Sequence, residues 1–295
     1  MIIVPGPASK ELGEIVASKL GAPAAPVQHR IFPDGESYLR LPAGIDGETV
    51  VLVQTTAPDP DRKMMQLLIM ARTARDLGAA RVAACVPYLA YMRQDKRFLG
   101  GEALSLDVVL GLMEAACVDD LIVVDAHSAS SLREIEAGHR VKVHNLSAIP
   151  LLAEYVKERG YYGAYSLSPD VGAIRLAEAA GRVIGGRHGY FEKSRDRRTG
   201  EITMKVKDLD VEGVNAVGFD DIISSGGTTA KAVEGLKLQG AAKVAAACVH
   251  ALFMPGAEEK IKAAGADLVV STDTVESRHG RVTVAGLIAD CVKTL

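Results

Sequence analysis

Two adjacent carboxylates and a loop of small residues follow a strongly apolar run in the second half of the chain. Asp220 and Asp221 come directly after Val217–Phe219, and the segment Ser224–Thr228 then opens a pattern of helical type. The two glycines of this segment let the backbone turn its N–H groups toward one point, where the start of a helix adds positive dipole character. The segment is therefore suited to hold a phosphate group, with the two carboxylates placed to accept hydrogen bonds from sugar hydroxyls. The alternative without a ligand is an Asp-rich strand end followed by an ordinary glycine turn.

A pair of cations forms a second candidate group. Lys193 and Arg195 alternate in a short segment, Phe191–Met204, that we interpret as a hairpin. Alternate residues of an extended segment share one face, so both cations are expected to point the same way. Cations on a mobile hairpin are suited to neutralise the charge that develops on a transferring phosphoryl group. The alternative is a basic hairpin that is merely solvated.

Three further polar groups each follow an apolar run. Arg93 and Gln94 come after one of them, and a guanidinium pairs with phosphate oxygens while an amide can hydrogen-bond a base. Asp170 follows another run, and its carboxylate suits Mg²⁺ directly. His127 follows the third, but histidine is a less usual ligand for this ion. By residue type alone, His127 reads as a strand-end histidine whose hydrogen bonds are satisfied.

The elements that must position these groups alternate along the chain. Apolar, strand-like runs are Met1–Val4, Thr49–Val53, Val82–Pro87, Leu121–Val124, Ala164–Leu167, Ala216–Phe219, Val244–Val249 and Leu268–Val270. Amphipathic, helical stretches are Ser9–Leu20, Arg62–Leu77, Ser105–Ala116, Ala148–Lys157, Ala173–Gly181 and Ala230–Gln239. Strands that are apolar on both faces and separated by helices indicate parallel sheets covered on both sides. The predicted fold class is α/β.

An internal repeat divides the chain. The run Gly78–Ala84 recurs, with one conservative change, as Gly240–Ala246, and the same offset carries Gly6-Pro7 onto Ser168-Pro169. Two matches at one offset favour duplication over coincidence. We therefore predict two similar open-sheet domains, residues 1–144 and 145–295. The last segment, residues 285–295, is a helix whose host domain the sequence does not settle.

Composition excludes several classes of protein. The net charge of −3 gives no electrostatic basis for binding nucleic acid or an acidic membrane surface. No apolar run reaches the roughly 18 residues of a membrane span, and the N-terminus has no signal-peptide pattern. The four cysteines are widely spaced and form no C-x-x-C pair, which argues against zinc or a disulfide framework and favours a reducing cytoplasm.

Taken together, the motifs resemble one family over the whole chain. The loop after Asp221 is the hallmark of the type I phosphoribosyltransferases, and the chain is similar to the ribose-phosphate diphosphokinases, which contain two such domains. The supporting motifs, in chain order, are Phe32–Ser37, Pro87–Lys96, Asp125–His127, Ser168–Asp170 and Phe191–Arg195. Only the second domain of that family keeps the phosphate loop. The corresponding first-half segment here, Gln54–Thr56, likewise lacks the Asp pair and the glycines.

The resemblance implies a Mg²⁺-dependent enzyme that transfers the diphosphoryl group of ATP to the C1 hydroxyl of ribose 5-phosphate. It implies catalytic roles for Lys193 and Arg195 and metal binding by His127 and Asp170. The implied ATP-binding residues are Phe32, Asp34, Gly35, Glu36, Arg93 and Gln94. The implied ribose 5-phosphate-binding residues are Arg195, Asp220, Asp221, Ser224, Ser225, Gly226, Gly227 and Thr228. It also implies a homo-oligomer, at least a dimer, in which a neighbouring subunit delivers the Phe32–Glu36 loop.

Some features depart from the bacterial and animal members and look more like the archaeal type. Ser128–Ser131 stands where those relatives carry a Gln-Gly-Phe segment, and Ser224 replaces a frequent Asp. The departures leave the size of the oligomer and any allosteric ADP or phosphate site open. Two other functions also stay open: a phosphoribosyltransferase that consumes phosphoribosyl diphosphate, and a non-catalytic regulatory homologue.

Overall fold

The chain folds into two compact units. The computed structural model describes residues 1–195, 202–205 and 209–295, with the backbone alone for 192–195 and 202–205. The first unit contains Met1–Leu146 together with Thr283–Leu295, and the second contains Ser147–Val282. The boundary thus lies two residues beyond the expected position. The final helix, which the sequence left without a host, belongs to the first unit.

The first unit contains one parallel sheet and a separate hairpin; elements are numbered along the whole chain. Its strands are β1 (Ile2–Pro5), β2 (Gln28–Ile31), β3 (Ser37–Arg40), β4 (Thr49–Val53), β5 (Arg81–Val86), β6 (Asp120–Val124) and β7 (Lys142–Leu146). Its helices are α1 (Lys10–Leu20), α2 (Pro60–Asp76), α3 (Ser105–Ala115), α4 (Ala129–Glu136) and α9 (Ala285–Val292). The sheet order is β1-β4-β5-β6-β7, and β2 pairs antiparallel with β3.

The second unit repeats this arrangement with one added edge strand. Its strands are β8 (Tyr165–Ser168), β9 (His188–Tyr190), β10 (Glu192–Arg195), β11 (Ile202–Lys205), β12 (Ala216–Ile223), β13 (Val244–Ala251), β14 (Leu268–Thr272) and β15 (Gly280–Val282). Its helices are α5 (Ile149–Val156), α6 (Ile174–Ile184), α7 (Gly227–Leu238) and α8 (Ala257–Ala263). The parallel sheet has the order β15-β14-β13-β12-β8-β9, and β10 and β11 form an antiparallel pair.

Burial explains why the central strands are apolar on both faces. Every residue of β6 and of β13 is buried, as expected for parallel strands covered by helices on both sides. The core of the first unit includes Leu52, Leu67 and Leu110, and that of the second includes Phe191 and Leu236. Among the described residues, no helix is long and apolar enough to cross a bilayer.

The sequence repeat corresponds to a repeated corner of the fold. Gly78 and Gly240 both have a left-handed backbone, with φ of 91° and 81°, just before β5 and β13. Their carbonyls accept hydrogen bonds of 2.9 Å from the N–H groups of Gly47 and Gly213, respectively. Because the same bond closes the same corner in both units, the structure supports duplication rather than chance similarity.

The predicted elements are present, with some corrections. Each of the eight predicted strands and six predicted helices is found, with ends displaced by at most four residues. The helix expected over Ala230–Gln239 begins three residues earlier, at Gly227, so the small-residue loop before it is shorter than the sequence suggested. The short elements α4, α8, β7, β9 and β15 were not predicted.

Candidate active site

The two adjacent carboxylates lie at the carboxyl end of a central strand. Asp220 and Asp221 are half-buried on β12, which pairs with β8 on one side and β13 on the other. Asp221 Oδ1 accepts a hydrogen bond of 2.8 Å from the Ile222 N–H. Asp220 is in register with Cys248 on β13. Burial, and then the charge of Asp220, raise the pKa of the Cys248 thiol, so the group beside the carboxylates is neutral.

The loop that follows β12 has the form of an anion cradle. Gly226 has φ of 73°, and α7 begins at the next residue without a side-chain cap. A Cβ at Gly226 would lie 2.6 Å from the carbonyl oxygen of Ala257, so both conformation and space require glycine here. The first N–H groups of a helix have no partner within the helix, and an anion can take that place.

A neighbouring loop holds this cradle through main-chain bonds. The loop after β13 contacts the cradle. Its Leu252 N–H donates to Ile223 O and its Met254 N–H donates to Ser224 O, both at 3.0 Å. Because these bonds use only backbone atoms, they fix the shape of the loop whatever its side chains bind.

Asp170 lies at the same edge of the second sheet, after β8. Its Oδ1 accepts a hydrogen bond of 3.0 Å from the Gly172 N–H and so caps the short 3₁₀ turn Val171–Ala173. The hydroxyl of Ser168 donates to the Asp170 carbonyl at 2.9 Å, which fixes the turn. Since β8 pairs with β12, the structure brings Asp170 to the edge that carries the carboxylate pair.

In the first unit, Arg93 and Gln94 are exposed on the loop after β5. Gln94 Oε1 accepts a hydrogen bond of 2.5 Å from the Ser105 hydroxyl at the start of α3, which orients the amide. The next residue, Asp95, is half-buried. Burial raises the pKa of its carboxyl, but hydrogen bonds from Ser131 and Ser128 outweigh this and leave it lowered. The loop is thereby tied to the start of α4.

His127 lies after β6, the strand beside β5, and its side chain is exposed. The backbone before it is fixed, because buried Asp125 donates its N–H to Leu146 O at 2.7 Å and Ala126 N–H donates to Asn145 Oδ1 at 3.0 Å. The first unit therefore brings His127 and the Arg93 loop to the same edge of its sheet.

The predicted Phe32–Glu36 loop is the turn of the β2–β3 hairpin. All five of its residues are exposed, and Gly35 has φ of 96°, which a side chain would disfavour. The guanidinium of Arg30 lies 4.8 Å from the centre of the Phe32 ring. The hairpin is a separate two-stranded sheet, attached to α2 where Gln66 Nε2 donates to the Ser37 hydroxyl at 2.9 Å.

The first unit has no comparable cradle, and its side chains show why. The registers of β4 on β5 and of β12 on β13, counted from the repeated segment, align Gln54 with Asp220 and Thr55 with Asp221. Gln54 is fully buried, and its Oε1 accepts a hydrogen bond of 3.0 Å from the Ala8 N–H. The place of a ligand is therefore filled by the chain itself.

The two predicted catalytic cations fall where only the backbone is described. Lys193 and Arg195 lie two positions apart on β10, opposite Met204 and Ile202 of β11. The predicted hairpin is therefore present as a strand pair, but both side chains lie outside the described part of the structure, and their roles stay predictions.

Comparison with known proteins identifies the family. Residues 1–117 match the family model described as the N-terminal domain of ribose phosphate pyrophosphokinase. A ribose-phosphate pyrophosphokinase of Methanothermobacter thermautotrophicus is 41% identical over 97% of this chain and 98% of its own, and one of Saccharolobus solfataricus is 38% identical over 93% of each. The structure also resembles the phosphoribosylpyrophosphate synthetase of Mycobacterium smegmatis, with a TM-score of 0.87, 27% identity, and coverage of 99% of this chain and 98% of that one. Pyrophosphokinase and diphosphokinase are two names for the same enzyme, and the chain belongs to the ribose-phosphate pyrophosphokinase family.

Proposed function

We propose that this chain transfers the diphosphoryl group of ATP to the C1 hydroxyl of ribose 5-phosphate, giving 5-phosphoribosyl 1-diphosphate and AMP. The observation that carries the proposal is the cradle after β12, where a carboxylate pair precedes a glycine-shaped loop and a helix N-terminus. Near full-length similarity to ribose-phosphate pyrophosphokinases supports this function over the alternatives that the sequence left open.

Ribose 5-phosphate is assigned to the second unit. Asp220 and Asp221 accept hydrogen bonds from the ribose hydroxyls, because two carboxylates at one strand end suit a vicinal diol. The 5-phosphate takes the start of α7, where free N–H groups and the helix dipole favour an anion. The residues assigned to the phosphate are Ser224, Ser225, Gly226, Gly227 and Thr228, with Arg195 as a further contact.

ATP is assigned to loops of the first unit. Arg93 pairs with phosphate oxygens, and Gln94, oriented by Ser105, hydrogen-bonds the nucleotide. The exposed ring of Phe32 stacks on the adenine, while the carboxylates of the same turn accept its amino hydrogens. The residues assigned to adenine recognition are Phe32, Asp34, Gly35 and Glu36.

Lys193 and Arg195 are assigned to the transferring group. Phosphoryl transfer requires little covalent chemistry from the protein, so its main contribution is charge neutralisation where negative charge spreads in the transition state. Two cations on one strand of a hairpin match that requirement. No residue is assigned as general base.

Mg²⁺ is proposed as the cofactor, bound to the substrate phosphates, and the candidate ligands are Asp170 in the second unit and His127 in the first. In the part of the chain that the structure describes, no three His, Cys, Asp or Glu side chains group as a metal cage. A carboxylate such as that of Asp170 fits Mg²⁺, which keeps several waters and uses one or two protein ligands beside phosphates. When bound, the ion supplies charge neutralisation of the ATP phosphates.

The proposed assembly is a homo-oligomer, at least a dimer, in which the Phe32–Glu36 turn serves the ATP site of a neighbouring subunit. Support comes from the hairpin, whose turn is exposed throughout in the single chain. A reducing cytoplasm is the proposed location, since all four cysteines are free thiols.

A product assay tests the function. The protein is incubated with ATP, Mg²⁺ and ribose 5-phosphate, and AMP and phosphoribosyl diphosphate are quantified, with Lys193→Ala measured in parallel. We expect equimolar products and a fall of roughly 10² or more in kcat for the variant. Formation of ADP, or a folded protein that binds ribose 5-phosphate without turnover, would contradict the proposal.

A further inference from the structure

The segment that carries Arg93 and Gln94 has a strained backbone. Tyr91 has φ of 67°, a left-handed conformation that a bulky residue rarely adopts. Such a conformation persists only where surrounding contacts impose it. The segment Tyr88–Gln94 must therefore be held by neighbours, and the hydrogen bonds show which residues do so.

One group holds the start of this segment. The hydroxyl of Thr56 donates to the Tyr88 carbonyl at 2.8 Å and accepts from the Ala90 N–H at 2.7 Å, while the Thr56 N–H donates to the same carbonyl at 3.0 Å. Thr56 is 0% exposed and Ala90 6%. Without the hydroxyl, the Ala90 N–H would be buried and unpaired.

A second contact holds the middle of the segment. The phenol of Tyr91 donates to the Asp61 carboxylate at the start of α2, and this hydrogen bond raises the pKa of Tyr91. The Tyr91 carbonyl accepts from the Gln94 N–H at 3.3 Å. With Thr56, these contacts define the backbone up to Gln94.

The second unit connects its corresponding loops, after β12 and β13, in a different way. There the two neighbouring loops are joined by main-chain bonds to Ile223 O and Ser224 O, which leaves the loop after β12 to receive a ligand. In the first unit the loop after β4 has lost the cradle, and Thr56 connects the two loops through its side-chain hydroxyl as well as its main-chain N–H. In the second unit the loop after β13 holds the loop after β12, whereas in the first unit the loop after β4 holds the loop after β5.

We propose that Thr56 is a positioning residue for the nucleotide site, holding Arg93 and Gln94 in place through the backbone of Tyr88–Ala90. Thr56 itself touches no substrate in this assignment. The inference rests on the proposed role of Arg93 and Gln94 in binding ATP, and its test separates the two.

Three variants separate the effect of the Thr56 hydroxyl from the effects of side-chain shape and of position in the chain. Thr56→Val keeps the shape but removes the hydroxyl, and Thr56→Ser keeps the hydroxyl. Thr55→Val is the matched control, because Oγ1 of Thr55 is buried and has no hydrogen-bond partner among the described residues. We expect Thr56→Val to raise the KM for ATP roughly tenfold, with the KM for ribose 5-phosphate changed less than about twofold. Thr56→Ser should restore the KM for ATP, and Thr55→Val should leave it unchanged.

Amide hydrogen exchange at Ala90 measures the hydrogen bond from its N–H to the Thr56 hydroxyl in the absence of substrate. We expect faster exchange in Thr56→Val but not in Thr55→Val. Unchanged exchange, an equal effect of the two Val variants, or equal rises in both KM values would overturn the inference. Arg93→Ala tests the assignment beneath it: an unchanged KM for ATP in that variant contradicts the ATP role of Arg93. In that case the exchange rates still decide whether Thr56 holds the segment.

Discussion

At the scale of the residue, one glycine decides the shape of the loop that is proposed to hold the phosphate. Gly226 meets two independent demands, a left-handed backbone and the close approach of the Ala257 carbonyl. Its neighbour Gly227 meets neither, because its φ is ordinary and a Cβ there would find its nearest atom 3.9 Å away. The sequence predicts a glycine-shaped loop but does not distinguish these two positions, since only the fold brings Ala257 close.

Gly226→Ala is expected to damage both stability and ribose 5-phosphate binding. The left-handed conformation costs a residue with a Cβ about 1–2 kcal/mol, and the contact with Ala257 adds to this, for a loss of ~3 kcal/mol or more. The KM for ribose 5-phosphate should rise at least tenfold, because the N–H groups at the start of α7 are displaced. Urea unfolding and steady-state kinetics measure the two effects.

Gly256→Ala is the control that separates strain from crowding. Gly256 also has a left-handed backbone, with φ of 80°, but a Cβ there would find nothing within 4 Å. It should lose only about 1–2 kcal/mol of unfolding free energy and keep its KM for ribose 5-phosphate. Equal effects of the two substitutions would show that the contact with Ala257 is unimportant.

At the scale of the element, α8 supports the cradle and is itself fixed by a buried carboxylate. Glu258 in its first turn is 7% exposed. Its carboxylate contacts His279, with 2.8 Å between Nε2 and Oε2, as well as Lys262 and Arg278. Burial alone would raise the pKa of Glu258, but the hydrogen bonds from His279, Lys262 and Arg278 outweigh it and lower the pKa from 4.5 to about 2.

Glu258→Gln is therefore expected to lower the unfolding free energy in a pH-dependent way. Because the folded-state pKa lies below that of the unfolded chain, the carboxylate stabilises the fold above pH 4.5 and loses this effect as the pH falls toward about 2. The difference between wild type and variant should be largest at neutral pH and disappear only below about pH 2. Urea unfolding over this range measures it.

The adjacent residue provides the matched control. Glu259 is 71% exposed and lies 3.8 Å from Arg278, so Glu259→Gln removes the same charge without removing a buried contact. A surface pair of this kind contributes little to stability. If both variants show the same pH dependence, the effect comes from net charge and not from the buried carboxylate.

The strength of a sequence pattern explains which elements could be predicted. The central strands are buried on both faces and therefore read as continuous apolar runs. The long helices carry one apolar face and therefore show a helical spacing of apolar residues. The strand β7 is half-exposed and includes Lys142 and Asn145, and α4 spans only eight residues. Such short or edge elements depend on tertiary contacts that a local pattern does not contain.

At the scale of the whole molecule, duplication extends to polar contacts beyond the repeated apolar segments. In the first unit, Asp119 Oδ2 accepts from the Val82 N–H at 2.7 Å and pairs with Arg75. In the second unit, Asp267 Oδ2 accepts from the Val244 N–H at 2.8 Å and pairs with Lys237. Each carboxylate joins a helix end to two strands. The repeat in the apolar residues thus predicts the fold, whereas these contacts emerge only in three dimensions.

The proposed assembly predicts the activity of a mixture of two inactive variants, one altered in the first unit and the other in the second. Phe32→Ala removes the ring of the exposed turn, and Lys193→Ala removes a proposed catalytic cation. If the turn serves the neighbouring subunit, one of the two sites in a mixed dimer has both residues intact. Random exchange of subunits should then restore roughly a quarter of wild-type activity, because half of the dimers are mixed and half of their sites are intact.

The control pairs Lys193→Ala with Asp220→Asn. Both positions belong to the second unit, so each site of a mixed dimer keeps one defect and no activity returns. The measurement is the rate of AMP formation after subunits have been exchanged in mild denaturant and the denaturant removed. If the Phe32→Ala mixture gives only the mean of its two components, the turn acts within its own subunit. Restoration in that mixture alone would require an ATP site completed by a second copy of the chain, and would explain why the turn that carries Phe32 is exposed in a single chain.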